Sequence, residues 1–187
     1  QVGIKTPEEI KREQWEKDYV RDKVFAIDFS EKAVRVGKIL NIITGDGHTN
    51  VLYLNTLDYD RWETQFKKNP DWWAKYNEGF TRLEGLRENQ NSYEKFNFDI
   101  LMANPPFNVN KVKYEATLNA GRLPFGLPGY NEKTKEIGNA NYLWISYFYA
   151  YLNEKGRAGF VMASSATDSQ HADKEIRSKL VNTGHVD

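Results

Sequence analysis

Asn104-Pro105-Pro106-Phe107 brings together an amide side chain, a carbonyl whose direction a proline ring fixes, and an aromatic face. An exocyclic amine on a base resists alkylation because its lone pair is delocalised into the ring. Two acceptors aimed at the amino hydrogens draw the nitrogen towards tetrahedral geometry and release the lone pair. The Asn104 amide oxygen and the Pro105 carbonyl are two such acceptors. Phe107 offers a face on which a flipped-out base can stack. No strong base is needed, since the methylated amine sheds its proton readily. The sequence contains no cysteine, which excludes a thiolate attack on a pyrimidine carbon. The chemistry that fits is methyl transfer to an amino group.

A turn of this kind must be held by something rigid. Phe96-Asn97-Phe98-Asp99-Ile100-Leu101-Met102-Ala103 is an apolar run stopped by two prolines, and it predicts a buried strand in the middle of a parallel sheet. In open α/β sheets the C-terminal edge of the strands is where ligands bind. Three further strands are predicted to end in polar residues at that edge. Val24 to Asp28 ends in an acid, Val51 to Leu54 runs into Asn55, and Ala158 to Ala163 runs into Ser164. The Asp28 carboxylate can accept two hydroxyl hydrogen bonds and so suits a ribose diol; capping the next helix is the other reading. Phe29 suits an adenine face or the core, and Asn55 suits an adenine edge or a plain turn.

The helices between these strands are signalled by their starts. Thr6-Pro7-Glu8-Glu9 predicts a helix to about Tyr19. Ser30 caps a second, with Ala33, Val36, Ile39, Leu40 and Ile43 as its inward stripe and Gly45-Asp46-Gly47 as its stop. Strand, helix and strand then form a βαβ unit with parallel strands. Residues 58–95 exceed what a crossover needs and predict a helical insertion, with helices near 59–68 and 71–90. Its Trp62, Phe66, Trp72, Trp73 and Tyr76 read first as a packing face and second as a base-stacking surface. Residues 108–138 read as a long loop in which Lys111, Lys113, Arg122, Lys133 and Lys135 form a local basic excess suited to phosphate. Asn139 to Leu152 predicts a helix with Trp144, Ile145, Phe148 and Tyr149 inward, Lys155-Gly156-Arg157 a turn, and Lys174 to Val181 a last helix.

Composition sets the bounds. The chain has 187 residues, of which 40% are hydrophobic and 28% charged, enough for one domain with a core. Formal net charge is +0, so any nucleic-acid contact must come from a local patch or a partner. The absence of cysteine excludes a thiolate metal site and fits a cytoplasmic protein, and three scattered histidines argue against a histidine-built one. The first residue is Gln1, and Gly184-His185-Val186-Asp187 reads as the approach to another strand, so a fragment of a longer protein is expected.

Asp99 to Phe107 resembles motif IV of the amino-group DNA methyltransferases. Phe25-Ala26-Ile27-Asp28-Phe29-Ser30, Asn139-Ala140-Asn141-Tyr142-Leu143-Trp144 and Gly156-Arg157-Ala158-Gly159-Phe160-Val161-Met162-Ala163 are similar to the modification subunit of type I restriction–modification systems. The likeness runs through nearly the whole chain from about Val24. It implies an α/β fold with a doubly wound, mostly parallel sheet, Rossmann-like, present here in part. It implies S-adenosylmethionine as methyl donor, adenine N6 in double-stranded DNA as acceptor, and specificity and restriction subunits as partners. The catalytic residues it implies are Asn104, Pro105, Pro106 and Phe107. Asp28 and Asn55 fall at its ribose and adenine-edge positions, with Phe29 and Asn104 beside the cofactor. The usual Asp at the adenine edge is Asn55 here, which keeps a hydrogen bond and loses a charge. The Gly-rich first motif, which holds the methionine end, is expected before Gln1, so these residues alone are expected to bind cofactor poorly and to be inactive. Cytosine N4, RNA or a protein glutamine are alternative acceptors, and a non-catalytic module of the same fold is the alternative class.

Overall fold

The computed structural model describes residues 5–45, 47, 50–59, 61–113, 115, 121–167 and 172–186. Asp46 of the expected helix stop, Asp60 of the insertion, Tyr114 and residues 116–120 of the long loop, and Asp187 lie outside them. The chain divides into two compact units, Gln1–Thr56 with Arg61–Gly85, and Leu57–Asp60 with Leu86–Asp187.

The first unit begins with α1, Pro7–Lys23. Thr6 Oγ1 accepts from Glu9 N at 3.2 Å and Glu9 Oε2 accepts from Thr6 N at 2.8 Å, a reciprocal cap. The helix outruns the expected Tyr19 because no breaker occurs before Val24, and Arg21 and Lys23 suit its C-terminal end. None of its residues is buried. Asn50 fastens its end: Nδ2 donates to Arg21 O at 2.5 Å and to Val24 O at 2.9 Å. Strands β1 (Ala26–Asp28) and β2 (Val51–Tyr53) pair in parallel, Ala26 beside Val51 and Asp28 beside Tyr53. Between them runs α2, Glu31–Thr44, capped by Ser30 and closed by Gly45 at φ 84°.

The stripe expected to face inward on α2 does not. Val34 is the one buried residue of the helix, and Val36, Ile39, Leu40 and Ile43 are exposed. The reason is phase. The face that α2 turns towards the strands carries buried Val34 and half-buried Gly37, Lys38 and Asn41, and a Cβ on Gly37 would lie 3.3 Å from Val51 Cγ1.

The insertion folds as a π-helical turn, Trp62–Phe66, and α3, Pro70–Glu84, with Asn69 as its cap and Pro70 in its first turn. Trp62, Trp72, Tyr76, Phe80 and Leu83 are buried. Both buried indoles find backbone acceptors at the end of β2 or just past it: Trp72 Nε1 donates to Tyr53 O at 3.1 Å and Trp62 Nε1 to Asn55 O at 2.9 Å. The packing role is therefore the one these aromatics fill.

In the second unit β3 (Phe98–Ala103) pairs in parallel with β7 (Leu152–Phe160). Strand β3 was expected to be buried on both faces. Leu101 and Ala103 do pack against the core, but Ile100 is 72% and Met102 86% exposed. Successive strand residues face opposite ways, and only one face of this pair is covered. The cover is α4, Asn141–Tyr151, with Leu143, Trp144, Tyr147 and Phe148 against Ile137, Ala140 and Leu57. The strand β7 starts earlier than expected and runs through the predicted Lys155-Gly156-Arg157 turn. That segment is absorbed as an irregularity: Phe98 lies beside Leu152, while Ile100 lies beside Arg157.

Glycine is needed at the centre of that irregularity. A Cβ on Gly156 would lie 2.6 Å from Phe98 O and 3.0 Å from Leu152 Cβ, whereas one on Gly159 would meet nothing. Gly156→Ala is expected to cost about 1–3 kcal/mol, and Gly159→Ala to stay within about 0.5 kcal/mol of the parent. Chemical denaturation of both variants checks the contrast.

Residues 108–138 are less irregular than their composition suggests. Strands β4 (Val112–Lys113), β6 (Glu136–Ile137) and β5 (Tyr130–Asn131) form a small antiparallel sheet in that order. Arg122, read as part of a basic surface, is instead fully buried. Its guanidinium sits 3.9 Å from the Tyr147 ring centre, 5.0 Å from Tyr59 and 5.3 Å from Tyr151, and donates to the Tyr151 hydroxyl. Burial raises the Tyr151 phenol above its ordinary range. The last helix, α5 (Ala172–Asn182), buries Ile176 against Phe125 and Tyr142. His185 and Val186 after it take no regular structure.

Among the described residues the parallel strands pair as β1 with β2 in the first unit and as β3 with β7 in the second. No helix among the described residues is long and apolar enough to cross a membrane, and no cluster of potential metal ligands occurs among them.

Candidate active site

Strand β3 delivers Asn104 to the C-terminal edge of its pair. The ladder ends where Val161 N donates to Ala103 O at 3.2 Å. Two prolines then forbid further strand pairing. Pro105 is buried, while Asn104, Pro106 and Phe107 are exposed, Phe107 at 48%. The amide and the aromatic ring are therefore presented to solvent on a turn whose middle is anchored. Both groups are thus open to a ligand.

The residue after the tetrapeptide draws several elements to the turn. Asn108 has a left-handed backbone, φ 54°, which asparagine tolerates better than most residues. Its Oδ1 accepts from Asn139 Nδ2 at 3.0 Å, Asn141 Nδ2 at 3.2 Å and Ser165 Oγ at 3.2 Å. Its own N–H donates to Asn141 Oδ1 at 3.2 Å. Asn108, Asn139, Asn141 and Ser165 were not singled out as site residues from sequence. The available signal was a run of asparagines at the start of a predicted apolar helix, where a buried amide needs partners.

The other predicted residues lie in the first unit, at the C-terminal edge of β1–β2. Asp28 Oδ1 accepts from Ser30 N at 2.6 Å, and Leu54 N donates to Asp28 O at 3.1 Å. Ser30 takes the cap of α2, accepting from Ala33 N at 3.3 Å, so Asp28 is not spent on that task. Phe29 lies stacked on Tyr53, ring centres 5.3 Å apart and planes 4° apart, and it stays half exposed. Asn55 follows β2, half-buried, its carbonyl held by Trp62. An exposed carboxylate beside an open aromatic face suits the diol and the ring of a nucleoside. Asp28, Phe29 and Asn55 are thus gathered at one strand pair, and Asn104 to Phe107 at the other.

An α/β chain whose parallel strand pairs carry polar residues past their C-terminal ends, one as Asn-Pro-Pro-Phe, places those groups where open α/β sheets bind ligands. The chain belongs to the N-6 DNA methylase family, whose model matches residues 4–187. It is similar to the type I restriction enzyme MjaIX methylase subunit of Methanocaldococcus jannaschii, 34% identical over 94 residues, 48% of this chain and 16% of that protein. It is also similar to the type I restriction enzyme HindI methylase subunit of Haemophilus influenzae, 29% identical over 90 residues, 48% of this chain and 19% of that protein. The chain's match thus spans less than a fifth of the length of either relative. No solved structure matches it.

Proposed function

We propose that this chain is the catalytic portion of a DNA methyltransferase subunit that modifies adenine at N6 within a type I restriction–modification complex. The observation that carries this reading is the Asn-Pro-Pro-Phe turn. It closes a parallel strand with Asn104 and Phe107 exposed and Pro105 buried, in a chain matched by the N-6 DNA methylase model over residues 4–187. Both relatives are named as methylase subunits of type I restriction enzymes, which favours specificity and restriction subunits as partners. A net charge of +0 agrees with sequence recognition residing in another subunit.

In this reading S-adenosylmethionine supplies the methyl group from its sulfonium. Asn104 and the Pro105 carbonyl accept the two amino hydrogens of the flipped adenine and make its lone pair available. Phe107 stacks on the base and replaces part of the stacking lost on flipping. The N–C bond would form as the sulfonium S–CH3 bond breaks and leaves a thioether, and the nitrogen would then lose its proton to water, so no residue need act as a strong base. Asp28 holds the ribose diol, Phe29 the adenine ring and Asn55 the adenine edge of the cofactor. This assigns the nucleoside end of the cofactor to residues of this chain.

The test is transfer of a labelled methyl group by the full-length protein with its partner subunits, offered DNA, RNA and cellular protein. Label in DNA is the expected result. Label in RNA, or in a protein glutamine, contradicts the reading.

A further inference from the structure

We propose that Asn108 is a positioning residue for the catalytic turn: its side-chain oxygen locks the end of Asn104–Phe107 onto the start of α4 and onto the loop after β7. The proposal rests on the reading of that turn as catalytic and adds to it the device that fixes its direction.

The hydrogen-bond network leaves little freedom in how the three amides are oriented. Backbone N–H groups can only donate. Asn141 N donates to Asn139 Oδ1 at 2.8 Å, which identifies that atom as the oxygen and turns Asn139 Nδ2 towards Asn108. Asn108 N donates to Asn141 Oδ1, which likewise turns Asn141 Nδ2 towards Asn108. Both amides therefore present donors to one atom, and that atom must be the Asn108 oxygen. Ser165 Oγ adds a third donor from the loop after β7. Next along the chain, Ala140 N donates to Val109 O at 2.8 Å, so the backbone continues the seam. Asn141 is buried, which gives the seam a fixed base, whereas Asn108 and Ser165 are exposed.

The turn is thus held at both ends. Val161 N on Ala103 O and the buried Pro105 hold its start, and Asn108 holds its finish. Asn104 and Phe107 ride between these fixed points. Two acceptors must both point at one amino group, and displacement by about 1 Å can cost on the order of 10²-fold in rate. Loss of the Asn108 oxygen frees one end of the turn without touching substrate or cofactor.

Two substitutions separate the oxygen from the backbone. Asn108→Gly keeps the left-handed conformation and removes the acceptor. Asn108→Asp keeps an acceptor, and all three side-chain partners are donors, so the lock survives. The experiment uses the full-length protein with its partner subunits and measures methylation of adenine. For N108G we expect kcat to fall about 10- to 100-fold. The KM for S-adenosylmethionine and for DNA should be unchanged within about twofold, and melting temperature close to the parent; N108D should recover most of the rate. Ser165→Ala, which removes one exposed donor, should slow the reaction less than N108G in the same pattern, and it serves if N108G does not fold. Parent-like kcat in N108G, or in S165A where N108G fails to fold, overturns the role. So does a loss in N108D as deep as in N108G. A wild-type complex that leaves adenine unmodified overturns the catalytic reading beneath it. A wild type that methylates at the same rate as N108G overturns the positioning role alone.

Discussion

Asn104→Ala in the full-length protein is expected to lower kcat for DNA methylation about 10²- to 10³-fold, the usual cost of losing one preorganised hydrogen-bonding group at a reacting centre. Binding of S-adenosylmethionine should change little, because the amide acts on the acceptor nitrogen. Stability should also hold within about 0.5 kcal/mol, since Asn104 is exposed and its neighbour Pro105 carries the burial. Asn104→Asp retains an acceptor oxygen and should keep more activity than Asn104→Ala. Single-turnover rates and a melting curve on the three proteins check this together. An alanine variant as fast as the parent would remove Asn104 from the chemistry. An alanine variant that is slow only because it melts early would make it structural.

The largest effect on stability is expected from Trp62. It is fully buried, and its indole N–H donates to Asn55 O at 2.9 Å. Trp62→Ala should destabilise the protein by about 3–5 kcal/mol, the range for emptying a buried aromatic site. Trp62→Phe keeps much of the packing but removes the indole N–H that donates to Asn55 O, for about 0.5–1.5 kcal/mol. The same bond fixes the backbone at Asn55, so the phenylalanine variant should also bind S-adenosylmethionine more weakly while its methylation rate at saturating cofactor stays near the parent's. Isothermal titration and urea unfolding measure the two consequences. Unchanged stability in the alanine variant would mean that the insertion does not pack as described.

Much of this architecture was readable from residue order because its signals are local. Thr6 with Glu9 and Ser30 before α2 each mark a helix start through side chains close by in sequence. The Pro105-Pro106 break marks the end of β3 for the same reason. What could not be read depends on what covers a surface. Ile39 and Ile43 on α2, and Ile100 and Met102 on β3, are apolar in the expected period but exposed, because periodicity finds a stripe and says nothing of its cover. Arg122 misled for the opposite reason. Its charge suggested a surface, and only the fold brings Tyr59, Tyr147 and Tyr151 around it. At the site, the tetrapeptide was legible as chemistry. The oxygen of Asn108 was not, since its partners lie 31, 33 and 57 residues away.

The claim that organises the account is that the turn at Asn104 serves methylation of adenine at N6. Mass spectrometry of nucleosides is the most direct measurement. DNA from cells lacking other methyltransferases is treated with the wild-type complex or its Asn104→Ala variant, then digested. The account predicts N6-methyldeoxyadenosine with the wild type and a deep loss with the variant. N4-methyldeoxycytidine as the product, or equal N6-methyldeoxyadenosine from both proteins, would contradict it.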